Sequence, residues 1–354
     1  MVLFGRVLSD MEYIAHMELN ETIDESLRGL LGFEIKNLVD DDKQYQPGSI
    51  DLTIGRVFEN NGVRTGNEID TKDGFVLEPD KTYLVEANEW VRVPKVCLSH
   101  FEERSSLGRI GIKSDVENTE DLYSGCKPRF LMRAIDKPVK LYPDQRFVQM
   151  LFEYVPAFSN ILKFCKNELK GTIFEEMSEE YDEYKSLEPE EAIENDFIEI
   201  SEGFDSDERL FYFHLAESVL KIRDDIECID SLDFDMDEVY EETELPAVID
   251  NFSLGRTEEK VKLSDRCGLY LFKRPPEGKC ANDIPIVKVY PGWVDQGYEG
   301  NLTYTLHVPY RVVIEPGLRM PAKPCRTGKT RRIYGDRTLG SKYQGTDGFE
   351  VKPL

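Results

Sequence analysis

The chain repeats itself, and that constrains its fold more than any other feature. Val139-Lys140-Leu141-Tyr142-Pro143-Asp144-Gln145-Arg146 shares the pattern V-x-[LI]-x-P-x-x-R with Val312-Val313-Ile314-Glu315-Pro316-Gly317-Leu318-Arg319. Leu98-Ser99-His100-Phe101 is matched by Leu269-Tyr270-Leu271-Phe272. A sequence that returns to itself this way builds one supersecondary unit twice. The unit is β in character. Ile50, Leu52 and Ile54 alternate with polar residues, the pattern of a half-buried strand, just after the Pro47-Gly48 turn. From Thr82 to Tyr154, short strand-like runs alternate with Gly, Pro and Asp turns, the spacing of a barrel or sandwich. Ser9-Asp10 before Met11 to Leu19 predicts a capped helix.

The two β stretches are separated by a segment of different composition. From Lys163 to Glu244 the chain is rich in Asp and Glu and poor in Gly and Pro. Examples are Glu175-Glu176-Met177-Ser178-Glu179-Glu180 and Asp233-Phe234-Asp235-Met236-Asp237-Glu238. Leu210, Phe213, His214, Ser218 and Leu220-Lys221-Ile222 are spaced to line a helix. The expected architecture is therefore mainly β. A first unit spans residues 1–160, an acidic, mainly helical insertion spans 161–250, and a second unit spans 251–354. The insertion reads either as a solvated spacer or as a docking element for a basic partner.

Charge and cysteines narrow the function classes. The 354 residues carry 44 Lys and Arg against 69 Asp and Glu, a net charge of -25. Such a surface repels nucleic acid, so a general DNA or RNA binder is not expected. The seven cysteines and four histidines are scattered, with no C-x-x-C pair, so neither a disulfide framework nor a zinc knuckle is suggested. No apolar run reaches the length of a membrane span, and the start lacks a leader pattern. The expected setting is cytoplasmic and reducing. A small anionic ligand needs a local basic pocket. Glu103-Arg104-Ser105-Ser106-Leu107-Gly108-Arg109 supplies two guanidiniums, two hydroxyls and a glycine between apolar segments. Arg forks and Ser hydroxyls suit phosphate oxygens, and Gly lets backbone approach a ligand. In the second copy the corresponding place reads Lys273-Arg274-Pro275-Pro276-Glu277-Gly278, without the serine pair.

Four segments together resemble a known family. Gln46-Pro47-Gly48-Ser49-Ile50-Asp51-Leu52-Thr53-Ile54-Gly55 is similar to the Q-P-x-S-x-D-L-x-L-G segment of dCTP deaminases, relatives of the trimeric dUTPases. Arg104 to Arg109 resembles their R-S-S-x-[AG]-R motif, and Pro291-Gly292-Trp293 their P-G-[WF] turn. Tyr334-Gly335 and Ser341-Lys342-Tyr343-Gln344-Gly345 resemble their C-terminal segments. The order, early motifs in one copy and late motifs in the other, is similar to the longer, duplicated members. The resemblance implies dUTPase-like β-clip units with nucleotide sites where units meet, and a homo-oligomer whose units come in multiples of three. It implies hydrolytic deamination of dCTP to dUTP and ammonia, with Mg²⁺ accompanying the triphosphate. No zinc is implied, in keeping with the absence of the zinc deaminases' H-x-E…P-C-x-x-C pattern. By the same resemblance Arg104, Ser105 and Ser106 hold the triphosphate, and Arg109 sits by the base. Tyr334 and Lys342 close over the phosphates, and Gln344 reads the base edge.

One departure bears on turnover. The family's general acid-base is a Glu about five residues beyond the hairpin glycine. Counted from Gly300 that place is Thr305, and counted from Gly125 in the first copy it is Phe130. The family's Asp before P-G-[WF] is Tyr290 here. A neutral hydroxyl does not shuttle protons as a tuned carboxylate does. Glu299, with Ser105 and Arg109, is the catalytic set expected from the sequence, with Asp295 as the other loop carboxylate. The alternatives are a dUTP diphosphatase and a catalytically weakened pyrimidine-nucleotide binder.

Overall fold

The structure is a computed structural model. It describes residues 6–60, 66–117, 119–155, 157–165, 167, 169–172, 174, 186–271, 288–290, 292–339, 343–345 and 348–354. The molecule is mainly β, and its two large sheets share one topology. The first contains β1 (Ile50–Glu59), β2 (Tyr83–Ala87), β3 (Cys97–Glu103), β4 (Ile112–Val116), β5 (Arg129–Ala134) and β6 (Arg146–Tyr154). The second contains β7 (Phe211–Ile222), β8 (Ala247–Leu263), β9 (Cys267–Leu271), β10 (Lys288–Tyr290), β11 (Glu299–Ile314) and β12 (Arg319–Arg326). The first runs β3-β6-β1-β2-β5-β4 and the second β9-β12-β7-β8-β11-β10, all antiparallel neighbours. Ranked by place in the chain, the two orders are identical. Smaller strands flank the second sheet, among them Trp293–Val294 beside β9.

The repeat reaches individual residues. Arg146 lies opposite Thr53, and Arg319 lies opposite His214. The turns preceding those arginines carry Asp144 and Gly317 at φ 64 and 77, the left-handed conformation, each just after a proline. Behind Thr53, buried Glu89 accepts the Thr53 amide at 3.0 Å and its hydroxyl at 2.6 Å. Behind His214, buried Glu259 accepts the His214 amide at 2.9 Å and pairs with Nδ1 at 2.7 Å. Both carboxylates pair a backbone donor where the first strand of the sheet shifts register.

The helical insertion expected between the units is not what forms. Among the described residues of 161–250, helix is found only at the end of Phe158–Phe164, at Phe174, in Pro189–Glu194 and in Met236–Val239. Phe211–Ile222 is instead the first strand of the second sheet, placed between β8 and β12. Phe211, Phe213 and Leu215 are fully buried. An apolar run buried on both faces of a sheet has no clean two-residue alternation, and periodicity alone does not separate it from a buried helix. The second unit thus begins well before Asn251. The acidic run Glu175 to Glu180 lies outside the described residues.

Two other expectations meet the structure differently. The N-terminal helix α1 (Asp10–Thr22) forms with a capping box between Ser9 and Glu12. Strand β1 is not half-buried, because Asp51 and Thr53 are as buried as their apolar neighbours. Partners make that possible, Glu89 for Thr53 and two arginines for Asp51. The units meet along several contacts. Val7 donates to the Arg326 carbonyl at 2.9 Å while Leu8 donates to that of Phe152 at 2.8 Å. Tyr270 Oη donates to Glu102 at 2.8 Å across the seam. Cys97, Cys126, Cys228, Cys267 and Cys325 are free thiols, and no described helix is long and apolar enough to cross a membrane.

Candidate active site between the two units

The site begins with how the Arg-Ser-Ser segment folds. After β3 the chain turns at Arg104, which is extended (φ -62, ψ 136), and winds one helical turn, α2 (Ser105–Arg109). Leu107 is fully buried and anchors that turn in the first unit's core. Ser106 and Arg109 are buried, and Ser105 is exposed. The turn faces the second unit. Between them lies a cavity lined by Arg104, Ser105, Ser106 and Arg109 on one side, and by Trp293, Asp295, Thr303, Thr305, Tyr334 and Tyr343 on the other. Each copy contributes what the other lacks.

The floor is set by the meeting of the Q-P-G-S segment with the P-G-W loop. Gln296 Nε2 donates to the Pro47 carbonyl at 3.2 Å. The approach is so close that a Cβ at Gly48 would lie 2.8 Å from Gln296 Oε1 and 2.9 Å from Trp293 Nε1. A side chain there would have to displace Gln296 or the Trp293 indole. The same contact builds the environment of Asp295. Its Oδ1 accepts Trp293 Nε1 at 2.9 Å and the Gly48 amide at 3.3 Å. Asp295 is 4 % exposed. Burial, helped by nearby Asp51, pushes its carboxyl up to about 7 against the pull of those two donors and Arg104.

The other carboxylate candidate is elsewhere. Glu299 is exposed and does not line the cavity, and its amide is occupied by Gln344 Oε1 at 3.1 Å. Glu299, expected from the sequence to be the catalytic carboxylate, thus lies outside the cavity, and Asp295, four residues earlier, lines it. Thr305 does line the cavity, and its hydroxyl donates to the Gly108 carbonyl at 3.2 Å. The first copy's equivalent, Phe130, is a core residue edge-on to Phe101 and Phe147 and has no access to this cavity.

The C-terminal segment covers the site. Arg109 stacks on the Tyr343 ring at 3.8 Å and donates to the Glu350 carbonyl. Tyr334 Oη accepts the Tyr343 amide at 3.3 Å, and burial raises its hydroxyl to about 12. Gln344 is exposed and donates to the Gly297 carbonyl at 3.0 Å. In this state it pins the tail to the loop and does not point its amide into the cavity. Lys342 lies outside the described residues. Arg109 thus holds the tail and has no described bond to a carboxylate side chain. Tyr343 and Asp51 were not singled out as site residues from the sequence, although both stand inside quoted motifs. Asp51 binds Arg104 Nε at 3.0 Å.

Comparison with known proteins gives the same direction. The dCTP deaminase-like family pattern matches residues 19–155. A protein named dCTP deaminase, dUMP-forming, from Sulfurihydrogenibium sp. is 32% identical over 129 residues, covering 32% of this chain and 71% of that protein. One of the same name from Methanothermobacter thermautotrophicus is 29% identical over 162 residues, covering 40% and 79%. The dCTP deaminase of Pyrococcus horikoshii is 32% identical over 113 residues, covering 31% and 70%. Among solved structures, the 2'-deoxycytidine 5'-triphosphate deaminase of Agrobacterium tumefaciens superposes with a TM-score of 0.63 at 14% identity. It covers 90% of this chain and 99% of that one, which makes the likeness one of fold over both units. With its motif-bearing first unit matched across most of the length of such relatives, this chain belongs to the dCTP deaminase family.

Proposed function

We propose that the inter-unit cavity binds dCTP and deaminates it hydrolytically. The observation that carries this reading is convergence. Arg104, Ser105, Ser106 and Arg109 from one copy face Asp295, Thr305 and Tyr334 from the other across one cavity. The arginine and the serine hydroxyls are donors for the phosphates. Mg²⁺ would travel with the triphosphate on its phosphate oxygens, and the carboxylate of Glu103 on the cavity wall is a hard oxygen donor of the kind it accepts.

Asp295 is the proton shuttle in this reading. A carboxyl near 7 exchanges protons in both directions at neutral pH, the requirement for acid-base work. Ser105 and Arg109 help place a water against ring C4. Asp295 takes one proton from that water and delivers it to ring N3. It then takes the second proton from the new C4 hydroxyl and gives it to the amino group, which leaves as ammonia. The sequence pointed to dUTP as product. Two relatives described above are named dUMP-forming, so the expected end product is dUMP, after water also displaces pyrophosphate at the α-phosphate.

A second reading has its own observation. Thr305 stands where the family carries its catalytic Glu, and its hydroxyl is spent on Gly108. A nucleotide binder without turnover would look like this. Incubating the purified chain with dCTP, dUTP, CTP and dTTP separates the two. Deamination predicts ammonia from dCTP, with dUMP and pyrophosphate resolved by chromatography. Binding of dCTP with neither ammonia nor pyrophosphate released leaves the binder. We also expect a symmetric homo-oligomer, and a strictly monomeric mass by light scattering at micromolar concentration contradicts it.

A further inference from the structure

Asp51 does not line the cavity but sits behind its wall. Its side chain is fully buried, and Oδ2 forms an ion pair with Arg104 Nε at 3.0 Å and accepts a hydrogen bond from Arg146 Nη1 at 3.1 Å. Arg146 also donates to the Lys43 carbonyl at 2.7 Å and stays out of the cavity, whereas Arg104 lines it. A guanidinium offers donors on several edges. A carboxylate paired on the Nε side engages one edge by charge and leaves terminal N–H groups for another acceptor. We propose that Asp51 is a positioning residue that holds the Arg104 guanidinium by an ion pair on its Nε side and so presents the rest of it to the nucleotide phosphates. This inference rests on the proposed nucleotide reading.

The second copy supplies an internal comparison. With Thr53 matched to His214, Asp51 falls at Tyr212. There Arg319, the counterpart of Arg146, stacks on the Tyr212 ring at 4.2 Å and pairs with Asp205 at 3.4 Å. The strand pair therefore forms without a carboxylate at this place. The carboxylate is found in the copy that has the serine pair, and it is replaced in the copy that reads Pro275-Pro276. Its presence follows the phosphate turn and not the needs of the sheet.

The test has a sign that separates positioning from plain charge. Removing a buried negative charge beside a phosphate site should, by field alone, tighten binding of an anion. Positioning predicts the reverse. Asp51→Asn should weaken calorimetric dCTP affinity about tenfold, the scale of one oriented bond to a charged group. The double variant Asp51→Asn with Arg104→Ala should bind no worse than Arg104→Ala alone, because both changes remove one function. Unchanged or tighter binding in Asp51→Asn, or additive losses in the double variant, overturns the inference. If Asp51→Asn fails to fold, Arg104→Lys decides. A single ammonium cannot serve Asp51 and a phosphate in the fork geometry, so its affinity should fall to near that of Arg104→Ala, and parent-like affinity overturns the inference. A parent chain that binds no dCTP at all fails earlier, at the nucleotide reading itself.

Discussion

Asp295→Asn is expected to release no ammonia from dCTP while still binding it, and to be more stable than the parent above neutral pH. Both results follow from the same buried carboxyl. Asn keeps an acceptor for Trp293 Nε1 and the Gly48 amide, so the loop geometry persists, but it carries no exchangeable acid. The stability result follows from linkage. The carboxyl has its ordinary value near 3.8 when unfolded and about 7 when folded. Between those values the folded chain holds a proton that the unfolded chain has released, so stability falls as pH rises from about 4 to about 7. Above that window the penalty is complete, and it is at most about 4 kcal/mol at 1.36 kcal/mol per unit. Urea denaturation should therefore show parent and variant close together at pH 4 and separated in the variant's favour at pH 8. A separation that is the same at both pH values contradicts the burial of Asp295. Retained ammonia release contradicts its role. A stabilising change that removes activity is the usual mark of a group kept for chemistry.

Arg109→Ala is expected to free the C-terminal segment. The guanidinium makes a desolvated stack on Tyr343 and a charge-assisted bond to the Glu350 carbonyl. The first is worth about 2 kcal/mol when buried, and the second roughly 1.5–3 kcal/mol. Losing both removes roughly 4 kcal/mol of closure. Val351 is buried and the Leu354 amide donates to the Ser231 carbonyl at 2.7 Å, so the far end keeps a weaker hold. Limited proteolysis should cut the variant near Tyr343 under conditions that spare the parent, and ammonia release should fall at least about 100-fold, close to 2.7 kcal/mol in barrier. A tail equally protected in parent and variant means that Arg109 does not hold it.

The repeat was legible in the residues, and so was the meeting of the Arg-Ser-Ser turn with the C-terminal segment at one cavity. Asp144 and Gly317, each after a proline, mark equivalent places because both turns take the left-handed backbone. What stayed hidden was decided by burial. Glu299 and Asp295 are equivalent in sequence, both acidic and both in one loop. Packing against Gly48 and Trp293 buries one, and a position at the start of β11 exposes the other. Phe211–Ile222 concealed its strand character because both of its faces are covered, and the surrounding Asp and Glu suggested a solvated helix. Asp51 lay inside a quoted motif, but its partners come from Arg104 and Arg146, 53 and 95 residues away. No local pattern announces such a contact.

The central claim is that two incomplete copies make one nucleotide site. Calorimetric titration of the parent chain with dCTP, at chain concentrations fixed by absorbance, tests this most directly. One nucleotide bound per chain, its affinity weakened by roughly 1.5–3 kcal/mol in Arg104→Ala of the first copy, is the predicted result. Two nucleotides per chain, or binding that survives Arg104→Ala undiminished, would contradict it.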